Sequence, residues 1–195
     1  KRKKKVLPLK NVYLGPKVDT SNIYENKKKL KKINVSKPKV LIKKFIEDLR
    51  NNKVIGLVRG RMEFGPRALC NRSIIYKTTD STINDWLNKR LIRNEFMPFA
   101  PVIREELCKK AFKDYDSKDT TLKFMTSTID CSDKFKFKSP AVTHIDQTAR
   151  PQIVSKISDP FIWKLLKNWE KISGEMSLVN TSFNAHEEPI ICNEN

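Results

Sequence analysis

"VIGLVRGRMEFGPRALCNRSIIYK", residues 54–77, is a pair of apolar runs separated by a loop crowded with charge. "VIGLVRG" reads as a buried strand and "RSIIYK" as a second, because branched aliphatic side chains suit a pleated, covered surface. Between the runs, Arg59, Arg61, Arg67 and Arg72 share a short stretch with Gly60, Glu63, Gly65 and Pro66. Glycine lets a backbone come close to a ligand and frees its N–H groups. Arginine offers a planar, permanently charged fork suited to phosphate or carboxylate oxygens. The stretch therefore predicts a strand–loop–strand unit. Its loop either waits for an anion or is knitted by an Arg–Glu network in which Glu63 pairs with Arg67 or Arg72. It is not a G-x-x-x-x-G-K-[ST] phosphate loop.

Outward from this unit, helices and strands interleave. Ser36 is placed to cap a helix over 37–51 with Leu41, Ile42, Phe45, Ile46 and Leu49 on its inner face. "DSTINDWLNKRLI" predicts a helix with Ile83, Trp86, Leu87 and Leu91 inward. "FMPFAPVI" must be extended, since Pro98 and Pro101 forbid a regular helix. "REELCKKAF" reads as a short helix, and "KFMTSTIDC" and "AVTHID" as strands separated by the polar "SDKFKFKS". "DPFIWKLLKNWEKISG" is a helix with Pro160 in its first turn, Ile162, Leu165, Leu166 and Trp169 on one face, and Gly174 at its end. "MSLVNTSFN" and "EPIIC" read as the last strands, and the stripes holding Trp86, Trp163 and Trp169 as core. The interleaving argues for an α/β domain around one twisted sheet.

A net charge of +18 suggests nucleic acid, but its distribution argues otherwise. The first fifty residues carry 17 Lys/Arg against 4 Asp/Glu, leaving only +5 for the rest. Those early charges are mostly lysines with few aromatics, whereas single-strand surfaces interleave stacking rings. Residues 1–35 are expected to be a basic linker from a preceding domain, with "NVYLGP" extended, and 36–195 the folded domain. A start without Met and an end just after an apolar run both suggest cuts through a longer polypeptide. Four dispersed cysteines, without a C-x-x-C pair or zinc-ligand spacing, suit reduced thiols in the cytoplasm. No apolar run reaches the roughly 18–20 residues needed to cross a bilayer.

Three further polar blocks interrupt the hydrophobic pattern. In "NKRLIRNEFMPFAP", Arg90 and Arg93 are spaced to share a helical face. In "THIDQTARPQ", residues His144, Asp146, Thr148, Arg150 and Gln152 alternate, which on an extended chain puts all five on one side. In "NTSFNAHEEP", Asn180, Thr181, Ser182 and Asn184 follow the apolar "SLV", where a strand leaves the core. No Ser-His-Asp logic recommends Ser182 as a nucleophile. Together the blocks describe a basic pocket at strand ends, a usual ligand position in open α/β sheets.

These blocks resemble the C-terminal, YrdC-like domain of the NodU/CmcH-type O-carbamoyltransferases. That family shows "GRxExGPRALGxRS", "NxRxxRxEFMPFAP", "SPAVxHxDGTARPQ" and "NTSFNxxxEPIV" in this order. Here they read "GRMEFGPRALCNRS", "NKRLIRNEFMPFAP", "SPAVTHIDQTARPQ" and "NTSFNAHEEPII". The resemblance implies a YrdC-like, twisted, mostly mixed β-sheet with flanking helices. It implies a domain that binds ATP and carbamoyl phosphate and makes a carbamoyl-adenylate. A preceding domain of the actin/Hsp70-like ATPase fold would then transfer the carbamoyl group to a hydroxyl. Iron or another divalent metal would belong only to that preceding domain, and Mg2+ would accompany ATP, with no protein metal ligand in these residues. On this resemblance Arg67, Arg72, Arg93 and Arg150 would act on the reacting phosphates. Arg61, Gly65, Arg90, His144, Thr148, Asn180, Ser182 and Asn184 would bind substrate or nucleotide. Nucleic-acid binding through the basic N-terminal segment is the second reading.

Two residues depart from the family pattern. Cys70 and Gln147 stand where the family commonly has Gly. If either position takes a positive φ, a side chain there strains the loop.

Overall fold

In the computed structural model, which describes residues 11–18, 37–92 and 98–192, the runs flanking the arginine loop form β1 (Ile55–Val58) and β2 (Arg72–Lys77). They pair antiparallel, Val58 opposite Arg72, so the loop is the connection of a hairpin. Three further strands complete the sheet: β3 (Ala100–Arg104), β6 (Gln152–Val154) and β7 (Ser177–Ser182). The order is β1-β2-β7-β3-β6, with β3 and β6 parallel and the other neighbours antiparallel. The expected mixed sheet with flanking helices is present.

Strand pleating sorts the core into two layers. On one face Leu57, Ile75, Val102, Val154 and Leu178 pack with α1 (Pro38–Arg50) and α5 (Pro160–Ser173). On the other, Ile74, Tyr76, Ile103, Ile153 and Val179 meet α2 (Ile83–Arg90), α3 (Cys108–Ala111) and α4 (Asp133–Lys138). The short strands β4 (Ile129–Asp130) and β5 (Thr148–Ala149) form a separate ribbon.

The helix signals hold best where caps and stripe agree. In α5, Asp159 accepts the N–H of Ile162 at 3.0 Å, Pro160 opens the helix and Gly174 ends it at φ 75°. Ile162, Leu165, Leu166 and Trp169 are all buried. Each contributes about 1.5–3 kcal/mol relative to an exposed position. Helix α1 begins at Pro38 with no side-chain cap, and Ser36 lies outside the described residues.

Several expectations are corrected. Trp86 is 53% exposed, because the inner stripe of α2 is Ile83, Asn84, Leu87 and Asn88. Trp163 is not core. It is half-buried, its Nε1 donates to Glu106, and its ring lies under the cations of Arg104, Lys156 and Lys167. "SDKFKFKS" is helix α4, with Ser132 accepting the Phe135 N–H and Phe135 buried. "AVTHID" is not a strand. Residues 140–142 are a 3-10 turn, and the Gln147 N–H closes a tight turn on the His144 carbonyl at 2.9 Å. "KFMTSTIDC" begins in a 3-10 turn that ends at Phe124, Met125 follows at φ 55°, and only Ile129–Asp130 forms a strand, β4. "EPIIC" pairs with Phe183 through one bond from Ile191 but forms no strand, since Pro189 lacks a donor.

Residues 11–18 lie against the arginine loop. Gly15 donates to the Met62 carbonyl at 2.9 Å, Met62 to Pro16 at 2.8 Å and Phe64 to Val12 at 2.7 Å. The approach at Gly15 is so close that a Cβ would stand 2.9 Å from that of Met62. The lysine-rich stretches 1–10 and 19–36 are outside the described residues. Among the described residues no helix is long and apolar enough to cross a membrane.

Candidate anion cleft at the end of the central strand

The arginine loop is held open by one carboxylate. Glu63 is buried, and its Oε1 accepts the backbone N–H groups of Leu69 (2.6 Å), Asn71 (2.8 Å) and Arg72 (3.2 Å). The expected Arg–Glu side-chain pair is absent among the described residues, and the carboxylate organises backbone instead. Gly65, at φ 118°, gives the turn a conformation that only glycine adopts readily.

The four arginines have diverged in role. Arg59 pairs with Asp159, donates to the Cys70 carbonyl at 2.8 Å and lies over the Phe161 ring. Arg61 is exposed and donates to the Leu14 carbonyl at 2.8 Å, tying down residues 11–18. Arg72 is fully buried, and its guanidinium donates to the carbonyls of Arg59, Asn71 and Cys192 at 2.8–3.1 Å. It holds the loop and has no open face. Arg67 is half-buried and forms no ion pair among the described residues.

Arg67 lines a cleft of about 50 Å³ with Pro66, Ala68, Met125, Arg150 and Asn180, closed by Thr181 and Ser182. The cleft sits at the C-terminal end of β7, beside the starts of β3 and β6. Arg150 faces Arg67. Burial, reinforced by the Arg67 charge, holds its guanidinium below the usual range, yet it stays a cation at neutral pH. Its Nε is buried without a partner. Asn180 is 1% exposed. Its Nδ2 donates to the Ala68 carbonyl (3.0 Å) and to Gln152 Oε1 (2.6 Å), and its Oδ1 has no donor. Two guanidinium groups therefore share the cleft, and no acidic side chain among the described residues lines it.

The other expected site residues lie around this cleft or away from it. Asp146 accepts from both N and Oγ1 of Thr148, and Thr148 Oγ1 meets His144 Nδ1 at 3.1 Å. This turn braces the chain entering Arg150, so the predicted one-sided row is broken at His144–Gln147. Burial lowers the His144 pKa, with Asp146 opposing and Arg150 adding. Asn184 donates to the Glu188 carbonyl at 2.8 Å beside a different groove, with Leu91 and Cys192. Arg90 is exposed at the last turn of α2. Helix α2 ends at Arg90 and Ile92 takes φ 56°, so the expected face shared with Arg93 falls outside the described residues. Arg93 lies outside the described residues.

Residues without charge supplied what the sequence reading missed: the Ala68 carbonyl, Met125 and Gln152 as the partner of Asn180. Their only signal was Gln152 at the end of the alternating polar block. Among the described residues no three His, Cys, Asp or Glu gather to hold a metal ion. A wider groove of about 840 Å³ runs along α5 past Trp163, but none of the four polar blocks contributes to it.

Both backbone positions that depart from the family glycines have positive φ: Cys70 at 70° and Gln147 at 67°. Cys70 is fully buried, its thiol donating to Gln152 Oε1 at 3.2 Å, and burial raises its pKa.

All four blocks lie inside a stretch that a family model matches. The model of the carbamoyltransferase C-terminus family matches residues 46–195. The uncharacterized protein MJ1051 of Methanocaldococcus jannaschii is 34% identical over 192 residues, 95% of this chain and 36% of its own. Nodulation protein NolNO of Sinorhizobium fredii is 38% identical over 146 residues, 74% of this chain and 21% of its own. The chain thus spans about a third or less of these relatives' length. Full-length HypF, solved in its phosphate- and nucleotide-bound form, superimposes with a TM-score of 0.52 at 18% identity, covering 76% of this chain and 18% of HypF, a likeness of fold. With its arginine loop, mixed sheet and family match in register, this chain belongs to the carbamoyltransferase C-terminus family.

Proposed function

We propose that this domain activates a carbamoyl group: it binds carbamoyl phosphate and ATP and forms a carbamoyl-adenylate. The mixed anhydride then passes to a metal-bearing, ATPase-fold domain of the same polypeptide for transfer to a hydroxyl. The observation that carries this reading is the facing pair Arg67 and Arg150, unanswered by any acidic side chain among the described residues. Fixed guanidinium forks stabilise charge developing on phosphoryl oxygens without reorganising. Family membership supports the carbamoyl part of the reading.

The chemistry balances with one water. Water cleaves carbamoyl phosphate to carbamate and inorganic phosphate. The carbamate oxygen then attacks the α-phosphorus of ATP, forming the new P–O bond as pyrophosphate leaves. Arg67 and Arg150 neutralise the phosphate oxygens, Asn180 and Ser182 orient the carbamoyl end, and Arg72 keeps the loop in shape. Mg2+ travels with ATP as part of that substrate. The reaction suits the cytoplasm, where ATP is plentiful and the free thiols of Cys70, Cys108, Cys131 and Cys192 stay reduced.

The test is exchange of labelled pyrophosphate into ATP by the full chain. Exchange that requires carbamoyl phosphate is expected. Its absence at saturating concentrations of both substrates would overturn the proposal.

A further inference from the structure

We propose that the segment 11–18 completes the arginine cleft from behind, and that Tyr13 is a positioning residue that sets where Arg67 presents its charge. The proposal rests on the reading of that cleft as an anion site. The segment lies ahead of residues 46–195, the stretch that the family model matches.

Segment 11–18 runs antiparallel beside residues 60–64, with Lys17 opposite Arg61. Gly15 and Val18 donate to the carbonyls of Met62 (2.9 Å) and Gly60 (3.0 Å). Met62 and Phe64 donate in return to Pro16 (2.8 Å) and Val12 (2.7 Å). Arg61 adds a guanidinium bond to the Leu14 carbonyl at 2.8 Å. These contacts reach Phe64, just short of Gly65, Pro66 and Arg67. Beyond Arg67, Tyr13 Oη donates to the Leu69 carbonyl at 2.9 Å, while Glu63 takes the Leu69 N–H at 2.6 Å. One segment therefore grips the loop both before and after Arg67. Burial pushes the Tyr13 pKa up, so its phenol stays a donor at any working pH.

The Tyr13 ring reaches the cleft through side chains that the two share. With Val12 it packs on Leu69, Ala100 and Met125, and both Ala100 and Met125 line the cleft beside Arg67. Tyr13 also lines a separate cavity of about 50 Å³ with Phe124, Gln152 and Asp159. The ring thus stands between the loop, the 3-10 turn before Met125 and the start of α5. Tyr13 is not among the residues lining the cleft, so it acts through the loop and not on the ligand. A guanidinium stabilises an anion only where it is well placed, and a shift of about 1 Å can cost a hundredfold. Removing the ring unseats Leu69, Ala100 and Met125 together, so Arg67 keeps its charge and loses its fixed position.

The test is calorimetric titration of the full chain with carbamoyl phosphate, alongside Tyr13→Ala, Tyr13→Phe, Gly15→Ala, Arg67→Ala and Ile83→Ala. Tyr13→Ala is expected to bind about ten- to a hundredfold more weakly. Tyr13→Phe, which keeps the ring, should return affinity to within about threefold of the unaltered chain. Gly15→Ala leaves Tyr13 in place but sets a Cβ 2.9 Å from that of Met62, and should weaken binding about three- to tenfold. Ile83→Ala, which empties buried volume under α2, should lose stability and keep its affinity. Should Tyr13→Ala fail to fold, Gly15→Ala carries the decision. Unchanged affinity in both, with a loss in Arg67→Ala, would overturn this inference alone. So would an equal loss in Ile83→Ala, since general destabilisation would then account for the effect. No binding by the unaltered chain, or binding indifferent to Arg67→Ala, would overturn the reading of the cleft and this inference with it.

Discussion

Glu63 accepts the backbone N–H of Arg72 at 3.2 Å, while the Arg72 guanidinium turns to the carbonyls of Arg59, Asn71 and Cys192. The two most deeply buried charges of the loop are thus used on main chain rather than on each other. They shape the turn that presents Arg67.

Glu63→Ala leaves three buried N–H groups without an acceptor. The expected loss is about 3 kcal/mol or more, against about 1–2 kcal/mol for Glu63→Gln, which keeps an oxygen. Urea denaturation measures both. A loss below about 1 kcal/mol for the alanine variant would show that water or neighbours replace the carboxylate.

Arg72 and Arg67 should separate stability from binding. Arg72→Ala and Arg72→Lys are both expected to lose about 3 kcal/mol, because an ammonium cannot fork to three carbonyls. Arg67→Ala should stay within about 0.5 kcal/mol of the unaltered chain, since it removes an unpaired charge facing Arg150. A stable Arg72→Lys variant would contradict the role given to its guanidinium.

Gln147 and Cys70 share a left-handed backbone but differ in surroundings. Gln147 is exposed and only meets Lys136 through its side chain, so Gln147→Gly is expected to gain about 0.5–1 kcal/mol. Cys70→Gly relieves similar strain but empties a fully buried site and removes the thiol donor to Gln152, so no net gain is expected. Thermal midpoints decide it; equal gains at both positions would refute the contrast.

His144 sets a pH dependence. Burial, opposed by Asp146 and aided by Arg150, holds its pKa below the usual 6.5. Between that lowered value and 6.5 the unfolded chain binds more protons than the folded one. This contribution to stability is therefore complete above the window, falls as pH drops through it, and levels off below. His144→Gln should flatten that part of the stability curve, and an unchanged slope would contradict the assignment.

What could be read in the sequence depended on the kind of signal. α5 announced itself because Pro160, Gly174 and an apolar stripe all agreed. The β1–β2 hairpin was legible from two aliphatic runs. The turn at His144–Gln147 was not, because alternation of polar residues imitates a strand, and the reversal shows only in the Gln147–His144 and Asp146–Thr148 bonds. In the site, charge identified Arg67 and Arg150 but equally recommended Arg72, whose burial is a tertiary property. Asn180 was found as a polar residue at a strand end. Its orphaned oxygen depends on Ala68 and Gln152, 112 and 28 positions away in sequence, which no local pattern encodes.

The central claim is that Arg67 and Arg150 together hold the phosphate of carbamoyl phosphate. Calorimetric titration of the full chain with carbamoyl phosphate at fixed ionic strength, alongside Arg67→Ala, Arg150→Ala and the remote Lys164→Ala, tests it most directly. Affinity is predicted to fall about ten- to a hundredfold in each arginine variant and to stay unchanged in Lys164→Ala. Equal affinity in all four proteins would contradict the claim.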